Sequence, residues 1–116
     1  MEREEFEVID NCLMVRLPEE IDHHRAGDIS QRADWYIVKQ NVENVVFDFG
    51  DTKFMDSSGI GIIMGRYKKI RDKGDISVVG ADESIKRILL ISGLHKIVYI
   101  YDNLMDAVKK ENRRDV

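Results

Sequence analysis

Ser57 and Ser58 are the side chains best placed for chemistry in this chain. Ahead of them lies Val45-Val46-Phe47-Asp48-Phe49, a run that reads as a buried strand, and then an acidic stretch ending Phe54-Met55-Asp56. Behind them Gly59-Ile60-Gly61 opens an amphipathic helix. A serine hydroxyl at such a strand–loop–helix junction is held by a rigid element, exposed at its tip, and able to accept a phosphoryl group. That group would change the local charge by about −1.5 to −2, which describes a switch better than a catalyst. The competing role is helix capping, where an N-cap serine contributes about 1 kcal/mol. The two roles are compatible: if Asp56 or Ser57 caps, Ser58 occupies the first turn with its hydroxyl toward solvent.

Other candidate chemistries are weaker. Asp22-His23-His24 suggests a metal site, but adjacent helical residues point about 100° apart and chelate one ion poorly. The third histidine, His95, lies far along the chain. The expectation is therefore no metal, with Asp22 capping a helix and the histidines as first-turn polar residues. Gly59, Gly61 and Gly65, with Asp82 further on, imitate a dinucleotide fingerprint. The glycine turn should follow its strand directly, however, and Asp51 to Ser58 intervene. Those glycines also leave a helix face free of bulk, so a partner could approach closely. No Walker phosphate loop is present, no His–acid pair can be assigned to the serines, and the clustered Asp48, Asp51 and Asp56 do not form the acidic pair of a receiver domain. The expectation is a protein without catalytic residues or a bound cofactor.

The elements that must position the serines follow from periodicity. Phe6 and Val8, then Leu13, Val15 and Leu17, flank Asp10-Asn11 as a hairpin, and Pro18 ends the second strand. From Asp22, the spacing of Ala26, Ile29, Ala33 and Ile37 predicts a helix, with Asn41 and Asn44 at its exit. After Ser57, Ile60, Ile63, Met64, Tyr67 and Ile70 predict a core-facing stripe, and Gly74 a stop. A second stripe, Ser58, Ile62, Gly65, Arg66 and Lys69, reads as exposed, with Ile62 as its apolar anchor. Ile76 to Val79 predicts a strand, Glu83 to Ile91 a helix stopped by Gly93, and Ile97 to Ile100 a last strand. Leu104, Met105 and Val108 predict a closing helix. The order ββαβαβαβα argues for an α/β fold with a mostly parallel sheet.

Bulk composition narrows the function. The chain has 116 residues, a length suited to one domain. A net charge of −4 disfavours general nucleic-acid binding, which needs a basic surface. The basic cluster Lys109, Lys110, Arg113 and Arg114 reads as cations at a helix C-terminus. The single cysteine, Cys12, excludes an internal disulfide and fits a reducing compartment. No run is apolar enough to span a bilayer and the N-terminus has no signal-peptide core, so a cytoplasmic protein is expected.

Phe54-Met55-Asp56-Ser57-Ser58-Gly59-Ile60-Gly61, Gly65-Arg66-Tyr67-Lys68, Ile21-Asp22-His23-His24, Ile85-Lys86-Arg87 and Ser92-Gly93-Leu94 closely resemble the anti-sigma factor antagonists of the STAS domain family, over nearly the whole chain. The Asp-Ser-Ser-Gly segment and its flanks carry most of that likeness.

The resemblance implies a single STAS domain over 1–116, with a mixed five-strand sheet and about four helices. It implies a partner that is both anti-sigma factor and serine kinase, phosphorylation on Ser58 (Ser57 being the alternative), and a serine phosphatase that reverses it. The unmodified form would bind the partner and free a sporulation sigma factor. The expected partner surface is Asp22, His23, Asp56, Ser57, Ser58, Gly61, Ile62, Gly65, Arg66 and Lys69. A monomer is expected, with no direct contact to nucleic acid or membrane. Two other readings stay open: a STAS subunit of a different phospho-regulated assembly, and a nucleotide-binding module.

Overall fold

The structure, a computed structural model, describes residues 4–114. Strands β1 (Glu5–Ile9) and β2 (Cys12–Arg16) form the expected antiparallel hairpin, in the register Phe6↔Val15 and Val8↔Leu13. Its tip holds Asp10 at φ 56, a left-handed conformation that aspartate tolerates. The chain then advances across the sheet one strand at a time. β4 (Asn44–Asp48), β6 (Ile76–Val79) and β7 (Tyr99–Tyr101) each join parallel to their predecessor, giving the order β1-β2-β4-β6-β7.

Right-handed crossovers that advance in one direction stack their helices on one face. These are α1 (His23–Lys39), α2 (Ser58–Ile70) and α3 (Glu83–Ile91). The sheet meets them with two rows of apolar side chains, Val8-Leu13-Val45-Ile76 and Phe6-Val15-Phe47-Val78-Ile100. The centre of both rows is buried in one cluster with Ile29 and Ile37 of α1, Ile63 and Ile70 of α2, and Ile85 and Leu89 of α3. Burial alternates along the run 45–49: Val45, Phe47 and Phe49 enter the core, while Val46 and Asp48 on the other face are half-buried.

Several boundaries differ from the sequence expectation. β3 (Glu20–Ile21) and β5 (Phe54–Met55) form a separate two-residue parallel pair that the periodicity did not reveal. Helix α2 ends at Ile70, not Gly74. Gly74 is instead required where the chain passes Glu43, because a Cβ there would lie 2.2 Å from the Glu43 carbonyl oxygen. The last strand starts later than Ile97. Gly93 (φ 84) releases α3 into a 3₁₀ turn, Leu94–Lys96, whose Leu94 carbonyl still accepts from Ile97 and Val98. The closing helix α4 (Leu104–Arg114) is where Leu104, Met105 and Val108 placed it; it buries Ala107, while those three residues are 41%, 62% and 45% exposed.

Candidate functional site

The two-residue pair β3–β5 builds the site. Ile21 lies in register with Met55, and the Asp56 N–H donates to the Ile21 carbonyl at 3.1 Å. Both strands end there, and each runs directly into a helix. Asp22 caps α1 by accepting from the Arg25 N–H at 2.8 Å. The N-terminus of α1 and that of α2 are thereby set side by side, so Asp22 and His23 stand beside Asp56, Ser57 and Ser58. The sequence placed these residues more than thirty positions apart, and only the short pair explains their meeting.

Asp56 is the hub of this arrangement. Its Oδ1 accepts the Ser58 N–H at 2.9 Å and also the Ser58 hydroxyl. It is also influenced by the backbone N–H and the imidazole of His23. The Ser58 hydroxyl hydrogen bond, then the Ser58 N–H, then His23 hold the Asp56 carboxyl below its ordinary value of 3.8, with desolvation opposing. Of the two candidate caps, Asp56 takes the role. Ser57 already has helical backbone angles (φ −61, ψ −18) and its side chain makes no capping hydrogen bond. Ser57 is exposed, whereas Ser58 is half-buried with its hydroxyl turned onto Asp56 instead of straight into solvent.

The stripe expected to be exposed on α2 is largely not. Ile62 is 1% exposed and belongs to the core, so it is not an accessible apolar anchor. Arg66 is 7% exposed and sits against Asp34 of α1, its Nε 2.9 Å from Oδ1. That pair is an ion contact without hydrogen-bond alignment, and Arg66 Nη1 is buried with no hydrogen-bond partner among the described residues. Burial pulls the Arg66 guanidinium below its ordinary value, and Asp34 opposes this. The reason is a second packing surface. Helix α2 lies against α1 as well as the sheet, so its buried arc widens from Ile63 and Ile70 to include Ile62 and Arg66. Neither residue is free to meet a partner.

What remains open is a neighbouring stripe: Ser57, Gly61 and Lys68 are exposed and Gly65 partly so. A Cβ at Gly61 or Gly65 would meet nothing within 4 Å. Lys69 keeps a side chain 46% exposed although it lies 3.8 Å from Asp34. Phe54, just before the site in β5, is 54% exposed and supplies the apolar surface that Ile62 does not. Sequence reading passed over Phe54 because it fell in an apparent loop; its position beside a β-pair was the missing signal. On the α1 side, a shallow depression of about 340 Å³ is lined by His23, His24, Gly27, Asp28 and Gln31.

The residues of the dinucleotide reading do not converge. Gly59 is buried against Met55, whose Sδ lies 2.2 Å from where a Cβ would sit. Asp82 is committed to capping α3, accepting from the Ile85 N–H at 2.9 Å and the Ser84 hydroxyl at 3.0 Å, and these bonds hold its carboxyl below 3.8. Among the described residues no group of three or more His, Cys, Asp or Glu side chains is gathered for a metal ion. Among them, too, no helix is long and apolar enough to cross a membrane.

A five-strand mixed sheet thus carries a serine-bearing helix start beside a second helix start. A profile of the STAS domain matches residues 4–107. An anti-sigma F factor antagonist from Paenibacillus polymyxa is 41% identical over 97 residues, covering 83% of each chain. The unphosphorylated anti-sigma factor antagonist SpoIIAA has a similar fold (TM-score 0.76, 20% identity, 95% of this chain and 97% of that one). So does the phosphorylated form of SpoIIAA from Bacillus (TM-score 0.73, 23% identity, 92% and 97%). The chain belongs to the STAS domain family, among its anti-sigma factor antagonists.

Proposed function

We propose that this protein is a phosphorylation-controlled switch that acts by binding. Unmodified, it docks on an anti-sigma factor that is also a serine kinase, and a sporulation sigma factor is freed. Phosphorylation on Ser58 ends the docking, and a serine phosphatase restores it. The setting is the cytoplasm, and the working unit is a monomer. The observation that carries this reading is the placement of the Ser58 hydroxyl: at the first residue of α2, half-buried, on the rim where α1 also begins. The docking surface comprises Asp22 and His23 from the start of α1, Asp56 to Ser58, and the bare stripe through Gly61 and Gly65 to Lys69.

The electrostatics favour repulsion without unfolding. The first N–H groups of α2 are already used: Ser58 donates to the Asp56 carboxylate, Gly59 to the Asp56 carbonyl at 3.1 Å, and Ile60 to the Ser57 carbonyl at 3.1 Å. A phosphoryl group therefore finds no waiting amide donor and stays in solvent next to Asp56. Buried against a partner it would be a desolvated dianion beside a carboxylate. Two like charges about 4 Å apart repel by about 1 kcal/mol in water and about 4 kcal/mol at an effective dielectric of about 20, so burial against a partner costs about 3 kcal/mol. Each 1.4 kcal/mol or so is tenfold in affinity, which is enough to empty the complex.

Calorimetric titration against the purified anti-sigma factor tests this. Ser58→Ala is expected to bind like the unmodified protein and to resist inactivation by ATP. Ser58→Asp is expected to fold normally and bind at least about tenfold more weakly. Equal binding of Ser58→Asp and wild type would refute electrostatic exclusion.

A further inference from the structure

Two adjacent serines present hydroxyls at this junction, and only one of them is oriented. Ser57 is exposed and its side chain makes no capping bond. Ser58 donates its hydroxyl hydrogen to Asp56 Oδ1, and its own N–H donates to the same oxygen. One carboxylate oxygen thus grips Ser58 at two points, backbone and side chain. Asp56 is itself held: its N–H is bonded to Ile21 across the β3–β5 pair, and His23 faces its carboxylate from α1. The grip is anchored to two elements and is not a chance contact within one loop.

We propose that Asp56 is the positioning residue for phosphoryl transfer and the residue that selects Ser58 over Ser57. This rests on the reading of Ser58 as the phosphorylated residue. By taking the hydroxyl hydrogen, Asp56 turns the free lone pairs of Ser58 Oγ outward, toward a phosphoryl donor held by the kinase. In the transfer, Oγ bonds to the γ-phosphorus of a nucleoside triphosphate. The bond from that phosphorus to the β,γ-bridging oxygen breaks, and its electron pair leaves with the nucleoside diphosphate. The hydroxyl proton passes to Asp56 Oδ1 and from there to solvent. Phosphoryl transfer has a loose transition state with little demand on a base, so orientation is the main contribution. A carboxyl held below its ordinary value is ionised at neutral pH, so Asp56 accepts the hydroxyl hydrogen before transfer and is ionised again once the proton has left for solvent. Ser57 makes no such capping contact, so no carboxylate fixes the direction of its hydroxyl.

The test is steady-state kinetics with the anti-sigma factor kinase and Mg-ATP, together with mass-spectrometric mapping of the modified residue. Asp56→Asn keeps an oxygen that can cap α2 and orient the hydroxyl but cannot take the proton as a carboxylate does. It is expected to lower kcat only about threefold, less than Asp56→Ala does, and to keep modification on Ser58. Asp56→Ala removes the grip and is expected to lower kcat about tenfold or more and to let phosphate appear on Ser57 as well. Thermal unfolding of both variants verifies that they are folded, and Asp56→Asn keeps the test open should Asp56→Ala fail to fold. Modification of Ser58 alone at the wild-type kcat in Asp56→Ala, or an unchanged kcat in Asp56→Asn, would overturn the role of Asp56 while leaving the switch intact. A wild-type protein that gains no phosphate on either serine would overturn the switch itself.

Discussion

At the scale of single residues, the same oxygen that orients Ser58 also stabilises the fold, and this has a consequence in acid. Asp56 and Asp82 both titrate below 3.8 in the folded protein because each accepts hydrogen bonds at the start of a helix. A carboxyl whose pKa is depressed on folding contributes stability above its unfolded value, and that contribution is lost as pH falls through the folded one. Asp56→Asn and Asp82→Asn are therefore expected to flatten the decline of Tm below about pH 4, and an unchanged acid limb would contradict these caps. Ile62 offers a second test. With 1% exposure it is a core residue, so Ile62→Ala should cost about 2–5 kcal/mol of stability. A stable Ile62→Ala with weak partner binding would restore it to the interface. The sequence made Asp22, Asp56 and both serines legible through their helix-start positions. It misjudged Ile62 and Arg66 because a helical stripe tells how many faces are apolar, not whether a polar-looking face meets another helix.

At the scale of elements, the α1–α2 seam and the open stripe of α2 should respond oppositely to substitution. Asp34 faces the buried Arg66. Asp34→Ala leaves that cation uncompensated and should cost about 2 kcal/mol, less than the 3–5 or so of a fully buried pair, because the Asp34 side chain is 30% exposed. Arg66→Met, which removes the buried charge itself, should cost less. Urea unfolding of the two variants compares them, and the reverse ranking would mean that Arg66 is not desolvated. On the open stripe, Gly61→Ala meets empty space and should raise Tm by about 3–5 °C through helix propensity. Gly61→Trp should keep the fold and weaken partner binding at least about tenfold. Gly59→Ala, by contrast, would press on Met55 and destabilise. The glycine pattern looked uniform in the sequence. Its division into Gly59 as a packing requirement and Gly61 and Gly65 as open surface depended on β5, a two-residue strand too short to leave a periodic signal.

At the scale of the whole molecule, the succession of the main strands and helices was readable because each crossover is short and regular. The hairpin and the three helix–strand repeats carry their own punctuation in Asp10-Asn11, Asp22, Asp82 and Gly93. The small β3–β5 pair was not readable, yet it is what gathers the starts of α1 and α2 into one surface. That surface is preformed, so modification of Ser58 has no folding work to do. The phosphorylated protein should keep its amide spectrum except around Asp22, His23 and residues 54–61, and its Tm should stay within about 5 °C of the unmodified form. In the proposed switch, charge at Ser58 alone decides whether a partner docks. A calorimetric titration of the anti-sigma factor with the protein singly phosphorylated on Ser58, beside the unmodified protein at the same ionic strength, tests it most directly. Saturable binding by the unmodified protein and a loss of affinity of about 100-fold or more on phosphorylation are expected. Equal affinity of the two forms would contradict it.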